Sequence, residues 1–164
     1  GLESNYKRWV TQTMQRQKTA VGETQLVATV SAKLIHKLKA NDVELDTAAI
    51  TLQDKQVRHL TRPQKTERQH ALAQDQIQDF PKLLSKPKAV LLDQKDQSLI
   101  YLLNLGSDEL GKVIVAPGYK NKARLLGTRD KIQTNDIRTA GLIKLEDVVA
   151  DVKGGQLQLL EGEL

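Results

Sequence analysis

Residues 89–116, AVLLDQKDQSLIYLLNLGSDELGKVIVA, mark the point where the chain changes from helical to extended periodicity. Two apolar runs, 89–92 and 99–105, flank the polar turn 93–97, which is the pattern of a β-hairpin. A further turn then leads to a third predicted strand at 112–116. Helical patterns precede this stretch and extended patterns dominate it, so the sequence predicts an α+β fold.

More extended segments follow the third strand. Residues 137–143 are a fourth strand candidate, and residues 156–160 are predicted to add a terminal strand after Gly154 and Gly155. Residues 145–149 fit either a short helical turn or an edge strand. We therefore expect an antiparallel sheet that follows the helices along the chain.

The N-terminal region begins with a short amphipathic pattern. In residues 4–18, apolar side chains that include Tyr6 and Trp9 recur at helical spacing. Docking onto the chain's own body is the common use of such a stripe. We divide the chain into an amphipathic N-terminal arm, 1–22, and a single α+β domain, 23–164.

Besides the cationic segment 54–65, which is considered below, two helices and two strands are predicted between the arm and the hairpin. Residues 25–30 favour a strand, and Ser31 is a suitable N-cap for the helix that follows. A short strand is expected at 48–52. Residues 74–84 have a helical pattern that we expect Pro81 to interrupt.

The composition limits the possible functions. The chain of 164 residues has 25 Lys and Arg against 20 Asp and Glu, a formal net charge of +5. This excess favours an anionic partner, although the acidic residues confine any nucleic-acid surface to a patch. The chain has no Cys, which excludes disulfides and thiolate metal sites. Aromatic residues are scarce, so we expect contacts with backbone phosphates and not with stacked bases.

Several other classes find no support in the sequence. No apolar run approaches the roughly 20 residues of a transmembrane helix, so we expect no membrane partner. His36, His59 and His70 show none of the spacings of a metal site, and no cofactor is expected. The chain also lacks a P-loop and a Gly-x-Ser-x-Gly elbow. We interpret His36 as structural or solvated.

Positive charge is concentrated in residues 54–65, DKQVRHLTRPQK. If this segment is helical as far as Thr61, the side chains at i, i+3, i+4 and i+7 share one face. These side chains belong to Lys55, Arg58, His59 and Arg62. Thr51 and Asp54 have the spacing of a capping box that would begin the helix. The alternative interpretation is a solvated cationic helix face.

An imidazole beside fixed positive charge is suited to acid-base chemistry on a phosphodiester. In RNA the 2′-hydroxyl itself can attack, so the protein need supply only a base, an acid and charge stabilisation. We predict His59 as base or acid and Arg62 and Lys65 as phosphate ligands. A hydroxyl from Tyr101 or Thr139 would complete the site, and His70 is the rival of His59. Further predicted phosphate ligands are Lys55, Arg58, Arg68, Lys120 and Lys122.

Three stretches of the chain resemble a known family. They are VRHL at 57–60 with the Arg and Lys that follow, FPKLLSKPKAV at 80–90, and NDIRTAG at 135–141. The pattern is similar to the C-terminal domain of phage Mu-like minor head proteins (F-type head morphogenesis proteins). These domains are grouped with the phage barnase–EndoU–colicin–RelE-like nucleases. The resemblance spans roughly residues 25–145. It implies a barnase-like fold, an antiparallel sheet of about four strands preceded by two or three helices packed on one face.

The resemblance implies a metal-independent nuclease-like domain of a phage or prophage head protein, located in the host cytoplasm or the virion. Its catalytic residues would be His59, Arg62, Lys65 and Thr139, and RNA would be a better substrate than DNA. One departure is Pro63, which follows Arg62 and could move its side chain off the helix face. The alternative is a non-catalytic module of the phage head, whose basic corner contacts DNA or a capsid or portal protein.

Overall fold

The computed structural model describes residues 1–16, 21–61, 71–119, 127 and 131–164. In these ranges the chain forms six helices and one seven-stranded sheet. The helices are α1 (Leu2–Gln15), α2 (Ala32–Ala40), α3 (Asp54–Thr61), α4 (Gln74–Gln78), α5 (Phe80–Ser85) and α6 (Leu145–Lys153). The strands are β1 (Thr24–Thr29), β2 (Ala49–Gln53), β3 (Ala89–Asp93), β4 (Leu99–Leu103), β5 (Glu109–Ala116), β6 (Asn135–Lys144) and β7 (Leu157–Gly162). None of these helices is both long and apolar enough to cross a membrane.

The sheet has the strand order β1-β2-β6-β5-β4-β3-β7. All neighbouring strands are antiparallel except β2 and β6, which pair in parallel with Ile50 opposite Asn135 and Thr51 opposite Asp136. The expectation of about four antiparallel strands is therefore wrong. The predicted antiparallel strands form the centre, but β1 and β2 extend the sheet beyond β6, and β7 adds to the outer edge of β3.

Helices cover both faces of the sheet, so the expectation of helices on one face is also wrong. Val90 and Leu92 of β3 point into a large core that also includes residues of α1 to α5. Ala89 and Leu91 of the same strand point into a smaller core covered by α6, which contributes Val148. The unbroken apolar run at the start of β3 is the sequence pattern of a strand buried on both faces.

The sheet is curved strongly enough that its two edges approach the same helix. Helix α2 connects β1 to β2 at one edge. Its Lys37 nevertheless donates a hydrogen bond from Nζ to the carbonyl oxygen of Leu160 in β7, the strand at the other edge. Helix α2 thus contacts the strand at the far edge of the sheet, and its Leu34 and Leu38 are buried in the large core.

Several local predictions are confirmed. The Ser31 hydroxyl caps α2 by accepting a hydrogen bond from the Leu34 backbone amide at 3.1 Å. Helix α1 docks on the chain's own core, because Tyr6 is fully buried and its hydroxyl donates to the Ile77 carbonyl at 2.8 Å. Residues 145–149 belong to a helix, and the terminal strand is present.

The helical segment 74–84 is interrupted, but not at the predicted residue. Helix α4 ends at Gln78 and α5 begins at Phe80, so the break lies at Asp79. Pro81 is the second residue of α5. A proline is tolerated there because the first-turn amides of a helix have no intrahelical acceptor, and the missing N–H costs nothing.

Candidate anion-binding surface on helix α3

Helix α3 is anchored at its first residue by a buried carboxylate. Strand β2 passes directly into α3 at Asp54, which is 2% exposed. One carboxylate oxygen, Oδ2, accepts a hydrogen bond from the Val21 backbone amide at 2.8 Å and lies 3.6 Å from Nη1 of Arg16. The Asp54 backbone amide donates to the Glu23 carbonyl at 2.9 Å. These contacts hold the start of α3 against the segment that enters β1.

The predicted capping box at the start of α3 does not form. The Thr51 hydroxyl donates instead to the Asp136 carboxylate and lies 3.0 Å from the Thr134 hydroxyl. The other Asp136 oxygen accepts a hydrogen bond from Nε2 of Gln53 at 3.3 Å. Thr51 is a residue of β2, and its side chain joins β2 to β6.

The described part of α3 has the amphipathic arrangement expected from its sequence. Val57 and Leu60 are fully buried in the large core. Lys55 and His59, one turn apart, are exposed on the other side of the helix. Arg58 is half-buried between these two sides. The geometry therefore presents an ammonium and an imidazole together to solvent, as residues i and i+4 of a helix do.

This surface has unneutralised positive charge. Among the described residues, ion pairs involve Lys7 with Asp79 and Arg16 with Glu23 and Asp54, and none involves α3 cations. In the same part of the chain, the buried Nη2 of Arg58 has no hydrogen-bond partner. A guanidinium N–H without an acceptor is costly when buried, and an anion that supplied one would relieve that cost.

The other predicted cationic site residues all lie outside the described residues. These are Arg62, Lys65, Arg68, His70, Lys120 and Lys122. Their predicted roles remain predictions. Of the residues proposed for catalysis, the structure therefore describes His59 and Thr139, and of the proposed phosphate ligands it describes Lys55 and Arg58.

Thr139 does not lie on the same side of the sheet as α3. It pairs with Ile114, which packs against the smaller core, whereas α3 packs on the large one. Cross-strand partners point to the same face, so the Thr139 side chain points away from α3. The cause is a bulge in β6, where Ile137 and Thr139 pair with consecutive residues of β5 and Arg138 is the extra residue. The structure does not bring Thr139 to His59.

Tyr101 is the remaining site candidate among the described residues. Tyr101, in β4, is 2% exposed, and its burial together with the charge of Glu161 raises the pKa of its phenol. Glu161 belongs to β7, at the edge of the sheet opposite to β1. His36 is exposed on α2. Within the described ranges, no group of three or more His, Asp or Glu is placed to hold a metal ion.

No pattern along the chain predicted the buried polar contacts of Asp54 and Asp136. Asp54 meets an amide 33 residues away, and Asp136 meets a hydroxyl 85 residues away. Neither contact belongs to a local motif, because both depend on how β1, β2 and β6 are brought together. Only the polar residues inside otherwise apolar strands, such as Thr51 in β2, are a weak signal.

Comparisons with protein-family models, with curated proteins and with solved structures gave no match for this chain. The family resemblance of the motifs stays a prediction, and the geometry of α3 is what the functional proposal depends on.

Proposed function

We propose that this domain binds nucleic-acid phosphates through α3 and cleaves RNA phosphodiesters without a metal ion. One observation carries the proposal: Lys55 and His59 are exposed side by side, with Arg58 between them, and none of the three has an ion-pair partner among the described residues. Clustered unpaired cations attract the phosphate backbone independently of base sequence.

The proposed reaction is an internal transesterification. His59 accepts the proton of the RNA 2′-hydroxyl, whose oxygen attacks the adjacent phosphorus. The bond from phosphorus to the 5′-oxygen breaks, that oxygen takes a proton from water, and a 2′,3′-cyclic phosphate is formed, after which His59 releases its proton to solvent. Arg58, with Arg62 and Lys65, would stabilise the negative charge that builds on the phosphoryl oxygens.

The three sequence stretches described above support placing this activity in a phage or prophage head protein. Such a protein meets nucleic acid in the host cytoplasm and in the virion. Among the residues proposed to contact phosphate, the structure describes Lys55 and Arg58 of α3.

A non-catalytic role is the second candidate, and the position of Thr139 favours it. The hydroxyl proposed to complete the catalytic group lies on the other side of the sheet from His59. A structural module that holds DNA, or an acidic capsid or portal surface, needs only Lys and Arg at this corner and no tuned imidazole.

A nuclease assay in the presence of EDTA separates these possibilities. Labelled RNA and DNA of the same sequence would be incubated with wild type and with the variants H59A, R62A and K55A. Lys153 is an exposed cation on α6, at the other sheet face, so K153A is the matched control. Anisotropy titrations of the same oligonucleotides at several salt concentrations would measure binding separately from cleavage.

We expect H59A to reduce RNA cleavage about 100-fold or more while binding changes little, since general acid-base catalysis contributes about 10² to 10⁴. K55A and R62A should weaken binding and lower the salt slope by roughly 0.7 each, the value for one phosphate contact on a single strand. Cleavage that survives H59A and R62A would refute the assigned site. Binding without cleavage by wild type would refute the enzyme and favour the structural module.

A further inference from the structure

In the described part of the chain, the buried side-chain polar atoms without a hydrogen-bond partner all belong to one junction. This junction joins the end of α1, the residue before β1 and the helix α3. The atoms are Thr13 Oγ1, Arg16 Nη1, Glu23 Oε1, Asp54 Oδ1 and Arg58 Nη2. Polar atoms that are buried without partners are rare in proteins, and a cluster of them indicates a site for a polar molecule.

Two of these five atoms have an ionic partner. Glu23 Oε1 forms an ion pair with Nη2 of Arg16, and Arg16 Nη1 lies 3.6 Å from Asp54 Oδ2. The same Asp54 oxygen accepts the hydrogen bond from the Val21 amide. The Asp54 carboxylate is therefore held through Oδ2, and its second oxygen, Oδ1, is buried and unpaired among the described residues.

Asp54 and Arg58 lie one turn apart on α3 and do not touch. Side chains at i and i+4 of a helix are neighbours, with Cβ atoms about 5 to 6 Å apart. In the described structure, however, no Arg58 nitrogen lies within 4.0 Å of an Asp54 carboxylate oxygen. Buried groups of opposite charge at such a separation are commonly connected through a water molecule.

The charges of the junction balance, which favours a neutral molecule over an ion. Its cations are Arg16 and Arg58, and its anions are Glu23 and Asp54. An added cation would lie beside Arg58 and an added anion beside Asp54, and both contacts are repulsive. A molecule between them must accept a hydrogen bond from Arg58 and donate one to Asp54, as water does. The buried hydroxyl of Thr13, one turn before Arg16, offers a third partner, and buried waters typically make about three hydrogen bonds.

We propose that a buried water molecule bridges Asp54 and Arg58, and that Asp54 acts through this water as a positioning residue for the Arg58 guanidinium. The second half of this inference rests on the function proposed for α3. Arg58 is half-buried, and Nη2 is the nitrogen that is buried without a partner. The water holds this inner nitrogen, so the outer N–H groups of the guanidinium are turned towards Lys55 and His59. A phosphate at that surface meets the outer N–H groups and stays apart from the Asp54 carboxylate.

Positioning and simple electrostatics predict opposite effects of Asp54 on phosphate binding. An arginine side chain that is already ordered loses less conformational entropy when a phosphate binds, so positioning makes Asp54 favourable. The negative charge of Asp54 close to α3 repels a phosphate, so charge alone makes Asp54 unfavourable. The direction in which D54N changes the affinity therefore separates the two effects.

Two measurements on the full chain test the inference. Without ligand, NMR relaxation of the Arg58 Nε–H group reports how ordered the side chain is, and nuclear Overhauser effects between its N–H groups and water report a bound water. Anisotropy titrations with the labelled RNA then measure binding. D54N is nearly isosteric and keeps an acceptor for the Val21 amide. E23Q is the matched control, because it removes an equal charge from the same junction, where Glu23 pairs with Arg16.

We expect the wild-type Arg58 side chain to be as ordered as the backbone of α3 and to show contact with a long-lived water. D54N should make this side chain mobile, and E23Q should leave it ordered. D54N should weaken RNA binding about tenfold, the size of one charge-assisted hydrogen bond, whereas E23Q should change it less than about twofold. In an R58K background, D54N should have no further effect, since the group that it positions is absent.

Several outcomes would overturn the proposal. A mobile Arg58 in wild type, or one whose order D54N leaves unchanged, would exclude positioning by Asp54. A crystal structure with a direct ion pair between Arg58 and Asp54 would exclude the water bridge. RNA binding by D54N that equals or exceeds that of wild type would refute the functional half. Wild type that does not bind RNA would refute the function proposed for α3, while the ligand-free NMR measurements would still decide whether Asp54 orders Arg58.

Circular dichroism shows whether D54N folds, and T13V replaces it if D54N does not. This variant removes the hydroxyl proposed as the third partner of the water and keeps the volume of the side chain. T13V should increase the mobility of the Arg58 Nε–H group and weaken its contact with water. An Arg58 side chain and water contact unchanged by T13V would contradict the proposed site.

Discussion

The side-chain amide of Asn135 holds Gly118 against the start of the sheet. Its Oδ1 accepts a hydrogen bond from the Gly118 backbone amide at 2.9 Å, and its Nδ2 donates to the carbonyls of Thr47 and Ala49 at 2.9 and 3.0 Å. Asn135 is fully buried and is the first residue of β6. One side chain therefore connects the end of β5, the start of β6 and the entrance to β2, where the parallel strand pair is formed.

The substitution N135A should destabilise the protein by about 3 kcal/mol. The substitution leaves the buried Gly118 amide and the Thr47 and Ala49 carbonyls without the Asn135 side chain as a hydrogen-bond partner. Each unsatisfied buried group costs about 1 to 3 kcal/mol, and relaxation of the surrounding structure offsets part of this cost. Urea unfolding followed by circular dichroism would measure the loss. N104A, at an exposed position, should change stability by less than about 0.5 kcal/mol. A loss below about 1 kcal/mol for N135A would contradict the structure at this point.

Gly118 itself should not tolerate a side chain. A Cβ added there would lie 2.2 Å from the Gln133 carbonyl oxygen and 2.7 Å from that of Thr134, and backbone atoms can yield only if the chain moves. We expect G118A to cost about 2 kcal/mol or more. G111A is the comparison, since its Cβ would meet side-chain atoms of Leu103 and Leu105 at 3.2 and 3.3 Å. Equal melting temperatures of the two variants would be inconsistent with the close contact at Gly118.

The buried carboxylate at the start of α3 should stabilise the fold together with Arg16. Removing it in D54A leaves the Val21 amide without its acceptor and Arg16 without one of its two acidic partners, and we expect a loss of about 2 to 3 kcal/mol. A double-mutant cycle with R16A should give a coupling of about 0.5 to 1 kcal/mol, because the Arg16 side chain is 31% exposed. Thermal unfolding of the four proteins measures it. Strict additivity would show that the two groups do not interact.

Stability should fall in alkaline solution because of the buried tyrosines. Burial raises the pKa of Tyr6 and, with the charge of Glu161, that of Tyr101 above the ordinary value of 10.0. Above pH 10 the unfolded chain therefore binds fewer protons than the native one, and the free energy of unfolding decreases as pH rises. The slope is about 1.4 kcal/mol per pH unit for each such tyrosine, and the stabilisation is fully present below pH 10.

Urea unfolding at several pH values from about 9 to about 11.5 would measure this slope. The variant Y6F should lower the slope by about 1.4 kcal/mol per pH unit, the contribution of one buried tyrosine. Absorbance at about 295 nm reports phenolate formation, which in the native protein should be delayed until the chain unfolds. If Tyr6 and Tyr101 formed phenolates reversibly near pH 10 without unfolding of the protein, the result would contradict the burial of these two side chains.

Local features of the site followed from the sequence. The extent of α3 was predicted because Val57 and Leu60 are apolar at helical spacing, while Lys55 and His59 fall on the opposite side. The hairpin of β3 and β4 was predicted for a similar reason, since a polar turn separates two apolar runs. Such patterns need only neighbouring residues, so they can be read along the chain.

The number of strands in the sheet was underestimated for a physical reason. Segments that became β1, β2 and β7 were each recognised as extended, but their partners lie far away in the sequence. Nothing local shows that β2 pairs in parallel with β6 or that β7 joins β3. No local pattern predicted the bulge at Arg138 in β6. This extra residue turns the Thr139 side chain to the face opposite α3.

The sequence by itself determined the α+β class, the cationic face of α3 and the excess of positive over negative charge in the chain. These depend on residue type and on periods of two and 3.6 residues. Only the tertiary structure decided that the sheet has two covered faces, that Asp54 and Asn135 are buried with their partners, and that Tyr101 lies near Glu161. Those outcomes depend on strand register and sheet curvature, which arise from contacts between distant residues and leave no period in the sequence.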